Sequence, residues 1–244
     1  MEKSEWFEEW FDTPFYHILY QNRDEDEAAS FIEKLVTATE LKKTAKILDL
    51  ACGKGRHSVQ LNKLGFNVIG IDLSVNSIAR AKKYENETLR FAVQDMREPM
   101  AEEKFDAIFN LFTSFGYFDD KEDNLKVLHA CNQMMPKKGV LVIDFMNVFR
   151  SIAELIEKET KTIDGIQFDI TRKFDGKHIW KMISFGHNGR LHTYTEKVLA
   201  ITKEDFDKLM KDSNFTIKER YGSYDLSPFD TEKSDRLIIV ATKN

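Results

Sequence analysis

Short apolar runs alternate with helical patterns through the middle of the chain. Five of these runs are continuous and bounded by Gly, Asp or Pro, which is typical of parallel strands that are buried on both faces. They are Ala45–Leu50, Val68–Ile71, Leu89–Val93, Phe105–Phe112 and Val140–Phe145. The stretches between them, 56–64, 75–84 and 121–135, carry apolar residues at helical spacing. Such alternation predicts a doubly wound, mostly parallel α/β sheet of the Rossmann-like kind.

The pattern becomes antiparallel after residue 147. Its predicted elements are a helix over 149–158 and strands near 166–174, 177–185 and 190–201. Two dipeptides, Asp175-Gly176 and Asn188-Gly189, join consecutive strands and are strong hairpin signals because such turns need positive φ. We therefore predict an inserted antiparallel β-meander. The remaining predicted elements are a helix over 203–212 and strands over 215–221 and 236–242. These last two strands bring the first sheet to seven.

Aromatic residues crowd the first 23 positions. They are Trp6, Phe7, Trp10, Phe11, Phe15, Tyr16 and Tyr20. Asp24 then has the position of a helix N-cap, with Glu27 three residues later and apolar residues at helical spacing up to Val36. The sequence therefore predicts a helix that begins after Asp24.

The composition is that of an ordinary globular domain. Of 244 residues, 42% are hydrophobic and 32% charged, and 36 Lys and Arg against 41 Asp and Glu leave a formal charge of −5. These values exclude disordered and fibrous chains. A mildly acidic protein also lacks the electrostatic attraction that nucleic-acid binders use. No apolar run approaches the roughly 20 residues that span a bilayer, so we expect neither a nucleic acid nor a membrane as partner.

The termini and cysteines indicate where the protein works. Residues 1–6 are acidic and aromatic, whereas a signal peptide would begin basic and continue aliphatic. Cys52 and Cys131 are too few for a disulfide framework or a four-thiolate metal site. No other group of His, Cys, Asp or Glu has metal-ligand spacing. The sequence therefore predicts a cytoplasmic protein without a metal, acting on a small molecule.

A glycine-containing loop follows the first predicted strand. Residues 47–57 read as a strand, a turn with Gly53 and Gly55, and the start of a helix, whose free N–H groups would face a ligand. A full dinucleotide fingerprint would have a third glycine where this chain has Ser58. A tight connection between strand and helix would also select glycine, so the loop alone leaves a structural and a ligand-binding role open.

Carboxylates at three successive strand ends favour the ligand-binding role. Asp49 ends the first strand, where it would repel a diphosphate but suit an ammonium group. Asp72 ends the second strand 19 residues after Gly53, the usual spacing for a carboxylate that holds ribose hydroxyls. Asp95 follows the third strand, where it would accept a hydrogen bond from an adenine amino group. Together they describe a phosphate-free ligand with an amino acid end, a ribose and a base, which is the description of S-adenosylmethionine.

Three segments in this order resemble the class I S-adenosylmethionine-dependent methyltransferases of the small-molecule type. They are Leu48–His57, Gly70–Ser74 and Gln94–Met96, and the resemblance runs through about 14–147 and returns at 203–242. It implies that Asp49 and the loop 51–55 line the methionine end of the cofactor. It also implies that the remaining strand ends hold the ribose and the adenine. The chain departs from many members at Arg56-His57, where they have a third glycine.

The resemblance gives a set of expected cofactor-binding residues. They are Tyr20, Arg23, Asp49, Ala51, Cys52, Gly53, Gly55, Asp72, Leu73, Gln94, Asp95, Met96 and Leu111. Tyr20 and Arg23 enter because an N-terminal segment closes over the cofactor in similar enzymes, and an arginine fork pairs well with a carboxylate. The alternative for Arg23 is a solvated side chain beside the acidic run 24–27.

The resemblance also divides the chain into functional parts. Residues 1–44 are expected to form an N-terminal helical lid and 45–147 the cofactor-binding core. Residues 148–202 are expected to form the inserted antiparallel subdomain, and 203–244 to complete the core. The oligomeric state is left open by the sequence.

The expected reaction is transfer of the methyl group to a nitrogen or oxygen nucleophile on a small molecule, with S-adenosylhomocysteine as product. Alignment for in-line displacement can contribute roughly 7–11 kcal/mol of the barrier. Aromatic residues after the fourth strand would suit a sulfonium and an amine, although two of Phe112, Phe115 and Phe118 are expected to be core. His178 and His192 are candidate bases, His57 is expected to be structural and His187 solvated. The sequence names no catalytic residue.

Two other functions are weighed against this one. A nicotinamide-dependent oxidoreductase shares the glycine turn and the strand-end aspartate. It is disfavoured by Asp49, by Asp95 and by the missing third glycine. A non-catalytic protein that binds S-adenosylmethionine is the second alternative.

Overall fold

The computed structural model describes residues 6–21 and 25–244. The helices in this part are α1 (Trp6–Trp10), α2 (Pro14–Leu19), α3 (Glu25–Ala38), α4 (Arg56–Lys63), α5 (Val75–Ala81), α6 (Lys121–Gln133), α7 (Val148–Ala153) and α8 (Lys203–Asp212). The strands are β1 (Lys46–Leu50), β2 (Asn67–Asp72), β3 (Leu89–Val93), β4 (Ala107–Asn110), β5 (Val140–Met146), β6 (Lys158–Ile163), β7 (Ile166–Phe174), β8 (His178–His187), β9 (Arg190–Leu199), β10 (Phe215–Tyr221) and β11 (Arg236–Lys243).

Seven strands form the main sheet in the order β10-β11-β5-β4-β1-β2-β3. Strands β1 to β5 pair in parallel, and β11 is antiparallel to both of its neighbours. The central strands are continuous apolar runs because both faces are covered: all four residues of β4 are buried. The prediction of a doubly wound, mostly parallel seven-stranded sheet is confirmed.

The two faces of this sheet pack against different helices. Successive side chains of β1 point to opposite faces, so Ile47 joins a core cluster with Phe31 of α3 and Leu61 of α4. Leu48 joins a second cluster that contains Phe206 of α8. The helices that follow β1 and β2 therefore lie on one face. Because β1 to β5 are parallel, their carboxyl ends meet at the same edge of the sheet.

A second, four-stranded antiparallel sheet is inserted between β5 and α8, in the order β6-β7-β8-β9. The prediction of an inserted meander is confirmed, and both predicted hairpin turns have positive φ, 94° at Gly176 and 72° at Gly189. The helix predicted over 149–158 was wrong in its second half, since α7 ends at Ala153 and β6 begins at Lys158.

The missed strand β6 is polar, because it lies at the edge of its sheet and exposes most of its side chains. It is joined to β7 by Asp164-Gly165, with φ of 49° and 77°. This dipeptide is the same hairpin signal that located the other two turns. It was available in the sequence and would have identified β6.

The N-terminal helices pack on this second sheet. Trp10 of α1 and Leu19 of α2 are buried in one cluster with Phe168 of β7 and Phe185 of β8. The helix predicted after Asp24 is present as α3, while Asp24 itself lies outside the described residues. Within the described part, no helix is long and apolar enough to cross a membrane.

Candidate functional site

The loops after β1, β2, β3 and β4 surround a cavity of about 820 Å³ that α1 and α2 also line. Most residues expected to bind a cofactor line it: Tyr20, Ala51, Cys52, Gly53, Gly55, Asp72, Leu73, Gln94, Asp95, Met96 and Leu111. Asp49 is not among the lining residues. Arg23 lies outside the described part of the chain.

The glycine loop has a left-handed backbone at three positions. The φ angles are 62° at Ala51, 57° at Gly53 and 82° at Gly55. A Cβ on Gly55 would come within 2.6 Å of the Phe91 ring, so packing as well as conformation requires glycine there. A Cβ on Gly53 would meet no protein atom within 4 Å. Gly53 therefore leaves open space on the cavity side of the loop, where a ligand can approach the backbone.

Asp72 joins the first loop to the second. One carboxylate oxygen accepts a hydrogen bond from the Gly53 N–H at 2.8 Å, and the other accepts from the Ser74 N–H at 2.8 Å. Burial raises the pKa of Asp72, while these backbone bonds act in the opposite direction. Each carboxylate oxygen still has acceptor capacity. The side chain is therefore held in place and remains able to accept from the hydroxyls of a ribose.

Asp49 lies behind the loop. Its side chain is 1% exposed and accepts a hydrogen bond of 2.5 Å from the Ser58 hydroxyl. Burial raises the pKa of Asp49 to about 6. Ser58 stands where a dinucleotide fingerprint has its third glycine, so this departure from the fingerprint provides the hydroxyl that satisfies the buried carboxyl.

Asp95 is held by an arginine that sequence reasoning missed. Arg97 donates from Nε and Nη2 to the Asp95 carboxylate, with the Nη2 bond at 2.6 Å. The same guanidinium bonds to Asp123 of α6 at 3.1 Å and lies 4.5 Å from the centre of the Phe118 ring. In the sequence, only its position two residues after Asp95 indicated that Arg97 could contact this carboxylate. The carboxylate of Asp95 is thus fixed at the cavity by a fork of the kind that orients carboxylates well.

Asp12, in the turn between α1 and α2, reaches the start of α5. Its carboxylate accepts from the Ser74 hydroxyl at 2.7 Å and from the Asn76 backbone N–H at 2.9 Å. The Asn76 side-chain amide donates to the second oxygen at 2.7 Å. Since Ser74 is two residues after Asp72, this contact holds the N-terminal helices beside Asp72. Nothing in the sequence pattern singled out Asp12.

Tyr20 fastens the same helices to the second sheet. Its hydroxyl donates to Glu196 of β9 at 2.6 Å and accepts from the Lys181 ammonium of β8. The Trp10 indole N–H donates to Glu196 at 2.8 Å. Burial lowers the pKa of Lys181, and the Glu196 carboxylate partly offsets this. The ring of Tyr20 also lines the cavity.

The histidines weighed as bases are all in the described part, and they lie in different places. His57 lines the cavity, whereas His178 and His192 lie in the second sheet outside its lining. His17 of α2 lines the cavity and was missed, because it was one ring in an aromatic-rich segment. Among residues 6–21 and 25–244, no three His, Cys, Asp or Glu side chains gather as metal ligands do.

Comparison with known proteins identifies the family of this chain and relates its fold to solved structures. Residues 41–215 match the family described as a methyltransferase domain. The fold is similar to the crystal structure of an S-adenosylmethionine-dependent methyltransferase from Clostridium acetobutylicum ATCC 824, with a TM-score of 0.80, 21% identity, and 94% of this chain and 96% of that chain covered.

Two curated relatives extend the comparison. One is "Putative methyltransferase YqeM" of Bacillus subtilis (strain 168), 29% identical over 219 residues that cover 84% of this chain and 86% of that protein. The other is dTDP-3-amino-3,4,6-trideoxy-alpha-D-glucopyranose N,N-dimethyltransferase of Streptomyces venezuelae, 26% identical over 164 residues that cover 64% of this chain and 68% of that protein.

A doubly wound sheet with a cavity at its strand ends is shared by several classes of nucleotide-binding enzyme, and the match to the methyltransferase-domain family distinguishes among them. The chain belongs to the methyltransferase-domain family and is an S-adenosylmethionine-dependent methyltransferase. The nicotinamide alternative is thereby set aside, and the resemblance seen in the sequence is confirmed.

Proposed function

We propose that this enzyme methylates the amino group of a small molecule, using the residues of the 820 Å³ cavity. When bound there, S-adenosylmethionine supplies a methyl group that its sulfonium already activates. The Asp72 carboxylate would accept from the ribose hydroxyls, and the open face of Gly53 would admit the amino acid end. Leu73, Gln94, Asp95 and Met96 would surround the base. Asp49, behind the loop, would act on the methionine end only through the backbone that it supports.

An aromatic wall carries the proposal for the acceptor. It consists of Phe7, Phe11, Tyr16, Tyr20 and Tyr117, which all line the cavity. Consecutive rings are in contact, with centroid distances of 4.9 Å from Tyr20 to Tyr16, 4.8 Å from Tyr16 to Phe11 and 5.3 Å from Phe11 to Tyr117. Such faces attract cations. They suit both a sulfonium and the positive charge that passes to an acceptor nitrogen during transfer, and the relative from Streptomyces venezuelae is named for an amino sugar.

The N-terminal part, residues 1–44, would act as the lid of this cavity. Its aromatic side chains would exclude water while the loops hold the reacting groups in line. During transfer a bond forms between the acceptor nitrogen and the methyl carbon as the bond from that carbon to sulfur breaks. The acceptor must arrive as the free amine, so its ammonium proton is lost to solvent before the step. The cavity volume of about 820 Å³ is in the range of small-molecule sites, which supports a small-molecule acceptor, and the formal charge of −5 does not favour a nucleic acid.

Replacing Asp72 tests the cofactor assignment. We expect Asp72→Ala to weaken binding of S-adenosylhomocysteine about 100-fold in calorimetry, because hydrogen bonds to a charged acceptor contribute about 1.5–3 kcal/mol each. Asp106→Ala is the matched control, since Asp106 also accepts from a backbone N–H, that of Lys46, at the opposite end of β1. Wild-type affinity in the Asp72 variant would remove the ribose assignment.

The acceptor is tested with matched pairs of compounds. Purified enzyme and S-adenosylmethionine are incubated with amino sugars and amino acids, each beside the analogue in which a hydroxyl replaces the amine. We expect N-methyl products from the amines, with a rate that rises with pH as the amine loses its proton, and no product from the hydroxyl analogues. Turnover of the hydroxyl analogues alone would replace nitrogen by oxygen as the acceptor.

A further inference from the structure

Two consecutive residues after β4 have a left-handed backbone although neither is glycine. The φ angles are 65° at Phe112 and 60° at Thr113. This region is unfavourable for residues with a Cβ, and most of all for a β-branched one such as threonine. The segment lines the cavity through Leu111, Phe112 and Ser114. A strained turn therefore forms part of the cavity wall, and some other group must hold it.

Asp144, two residues before the end of β5, holds the backbone of this turn. Its side chain is fully buried and accepts a hydrogen bond from the Phe112 N–H at 2.8 Å. The backbone carbonyl of Asp144 accepts from the Thr113 N–H at 2.9 Å. One residue thus receives both N–H groups of the strained pair.

Arg236, the first residue of β11, completes the contact from the other side. Its Nε donates to the Asp144 carboxylate at 2.8 Å, and its Nη2 donates to the Thr113 hydroxyl at 2.8 Å. Tyr224 adds a hydrogen bond of 3.3 Å from its hydroxyl to Asp144 and stacks on Phe112 with centroids 6.0 Å apart. Arg236 therefore bonds both to the Asp144 carboxylate and to the Thr113 side chain of the strained turn.

Stability alone does not explain this buried charge pair. Replacing such a pair by apolar side chains of similar volume is often neutral or stabilising, because both charges lose their hydration. Apolar residues, however, have no acceptor for the Phe112 N–H and no donor for the Thr113 hydroxyl. The pair is thus suited to fixing the conformation of the turn.

We propose that Asp144 and Arg236 are positioning residues, which hold the turn 112–113 in the left-handed conformation that builds the cavity wall beside the glycine loop, where the Arg56 guanidinium lies 4.9 Å from the centre of the Phe112 ring. The proposal rests on the proposed assignment of this cavity to the cofactor. Neither residue is among those that line the cavity, so each acts through the turn.

The test measures binding of S-adenosylhomocysteine to the intact chain by calorimetry, together with thermal unfolding. Asp144→Asn is expected to bind about tenfold more weakly, as the turn relaxes from its left-handed conformation. Thr113→Gly is expected to restore most of that affinity in the same chain, because glycine adopts positive φ without strain. Asp144→Asn that binds like the wild type would overturn the proposal.

A second glycine substitution separates local strain from general stability. Asn214 also has a left-handed backbone, with φ of 63°, and lies outside the cavity lining. Asn214→Gly should therefore leave the weakened affinity of Asp144→Asn unchanged. Equal rescue by both glycines, or none by Thr113→Gly, would contradict the proposal.

Two outcomes of the same titration are kept apart. If the wild-type chain fails to bind S-adenosylhomocysteine, the cofactor assignment is wrong; if it binds and the variants match it, only the positioning role is wrong. Should Asp144→Asn fail to fold, Arg236→Lys takes its place, since lysine keeps the charge but loses the fork that spans Asp144 and Thr113. The same loss and the same rescue are expected.

Discussion

At the scale of single residues, the site depends on carboxylates in different surroundings. Asp72 and Asp95 line the cavity and are held by backbone N–H groups and by an arginine fork. Asp49 is buried against Ser58, whose hydroxyl and backbone N–H both donate to it, and the Arg56 charge also favours its ionised form. Desolvation outweighs these contacts, so ionising this carboxyl costs folding free energy.

Asp49 therefore makes a prediction about stability and pH. The folded protein holds the Asp49 proton up to about pH 6, whereas the unfolded chain releases it near pH 4, at about the reference value. Between these pH values the folded state binds more protons, so its stability relative to an uncharged variant falls as pH rises. We expect the unfolding free energy of the wild type minus that of Asp49→Asn to drop by about 2–3 kcal/mol between pH 4 and pH 7.

Urea denaturation of both proteins at several pH values measures this difference. Asp169→Asn, at an exposed carboxylate on β7, is the control for replacing a carboxylate by an amide outside the core. A difference for Asp49→Asn that does not change with pH would mean that burial does not raise the pKa of this carboxyl.

At the scale of elements, sequence periodicity located the parallel strands because burial on both faces leaves an unbroken apolar run. It failed where an element is polar or short. β6 is an exposed edge strand. The helices α1 and α2 are short, and their aromatic residues pack on the second sheet, which is far away in the sequence. The site was predictable where one strand end carried one carboxylate, as at Asp72. Asp12 acts through contacts with residues 62 and 64 positions away, which no local pattern encodes. Arg97 is only two residues from Asp95, but its second contact, with Asp123, depends on tertiary structure.

The turn between α1 and α2 gives a prediction about cofactor exchange. Asp12→Ala removes the three hydrogen bonds to Ser74 and Asn76. We expect S-adenosylhomocysteine to dissociate about tenfold faster in a competition experiment by stopped flow, since the N-terminal helices are released from the loop after Asp72. The fold should remain, because Ser74 keeps its own N-cap bond to the Ser77 N–H.

Asp230→Ala is the matched control for this experiment. Asp230 also accepts from two backbone N–H groups, those of Glu232 and Lys233, in a turn that is not part of the cavity lining. Unchanged dissociation in Asp12→Ala, or an equal change in both variants, would show that the turn does not control exchange.

At the scale of the whole molecule, the inserted sheet packs against the N-terminal helices α1 and α2. The two-residue turn at Asn188-Gly189 sets the register of β8 and β9, and that register places Lys181 opposite Glu196. This pairing therefore follows from the sequence once the hairpin is identified. The contacts of the pair with Trp10 and Tyr20 do not follow, because they join residues more than 150 positions apart. The insertion thus supplies a docking point, the Lys181–Glu196 pair, for Trp10 of α1 and for Tyr20, which follows α2.

This docking point gives the last prediction. Lys181 and Glu196 are 3.5 Å apart, and each side chain is 16% exposed, so the pair is largely removed from water. Glu196→Gln should destabilise the protein by about 2–3 kcal/mol, because it leaves the Lys181 ammonium buried without its counter-charge. Adding Lys181→Met should recover most of this loss, since the amide oxygen still accepts from Trp10 and Tyr20.

Asp212→Asn is the control. It breaks the pair with Lys121, which has nearly the same separation, 3.4 Å, but is about half exposed. It should cost less than about 0.5 kcal/mol. Urea unfolding measures the three costs, and hydrogen exchange should show the loss in Glu196→Gln concentrated in residues 6–21. Equal losses of unfolding free energy for the two ion pairs would mean that the packing of α1 and α2 does not depend on the buried charges.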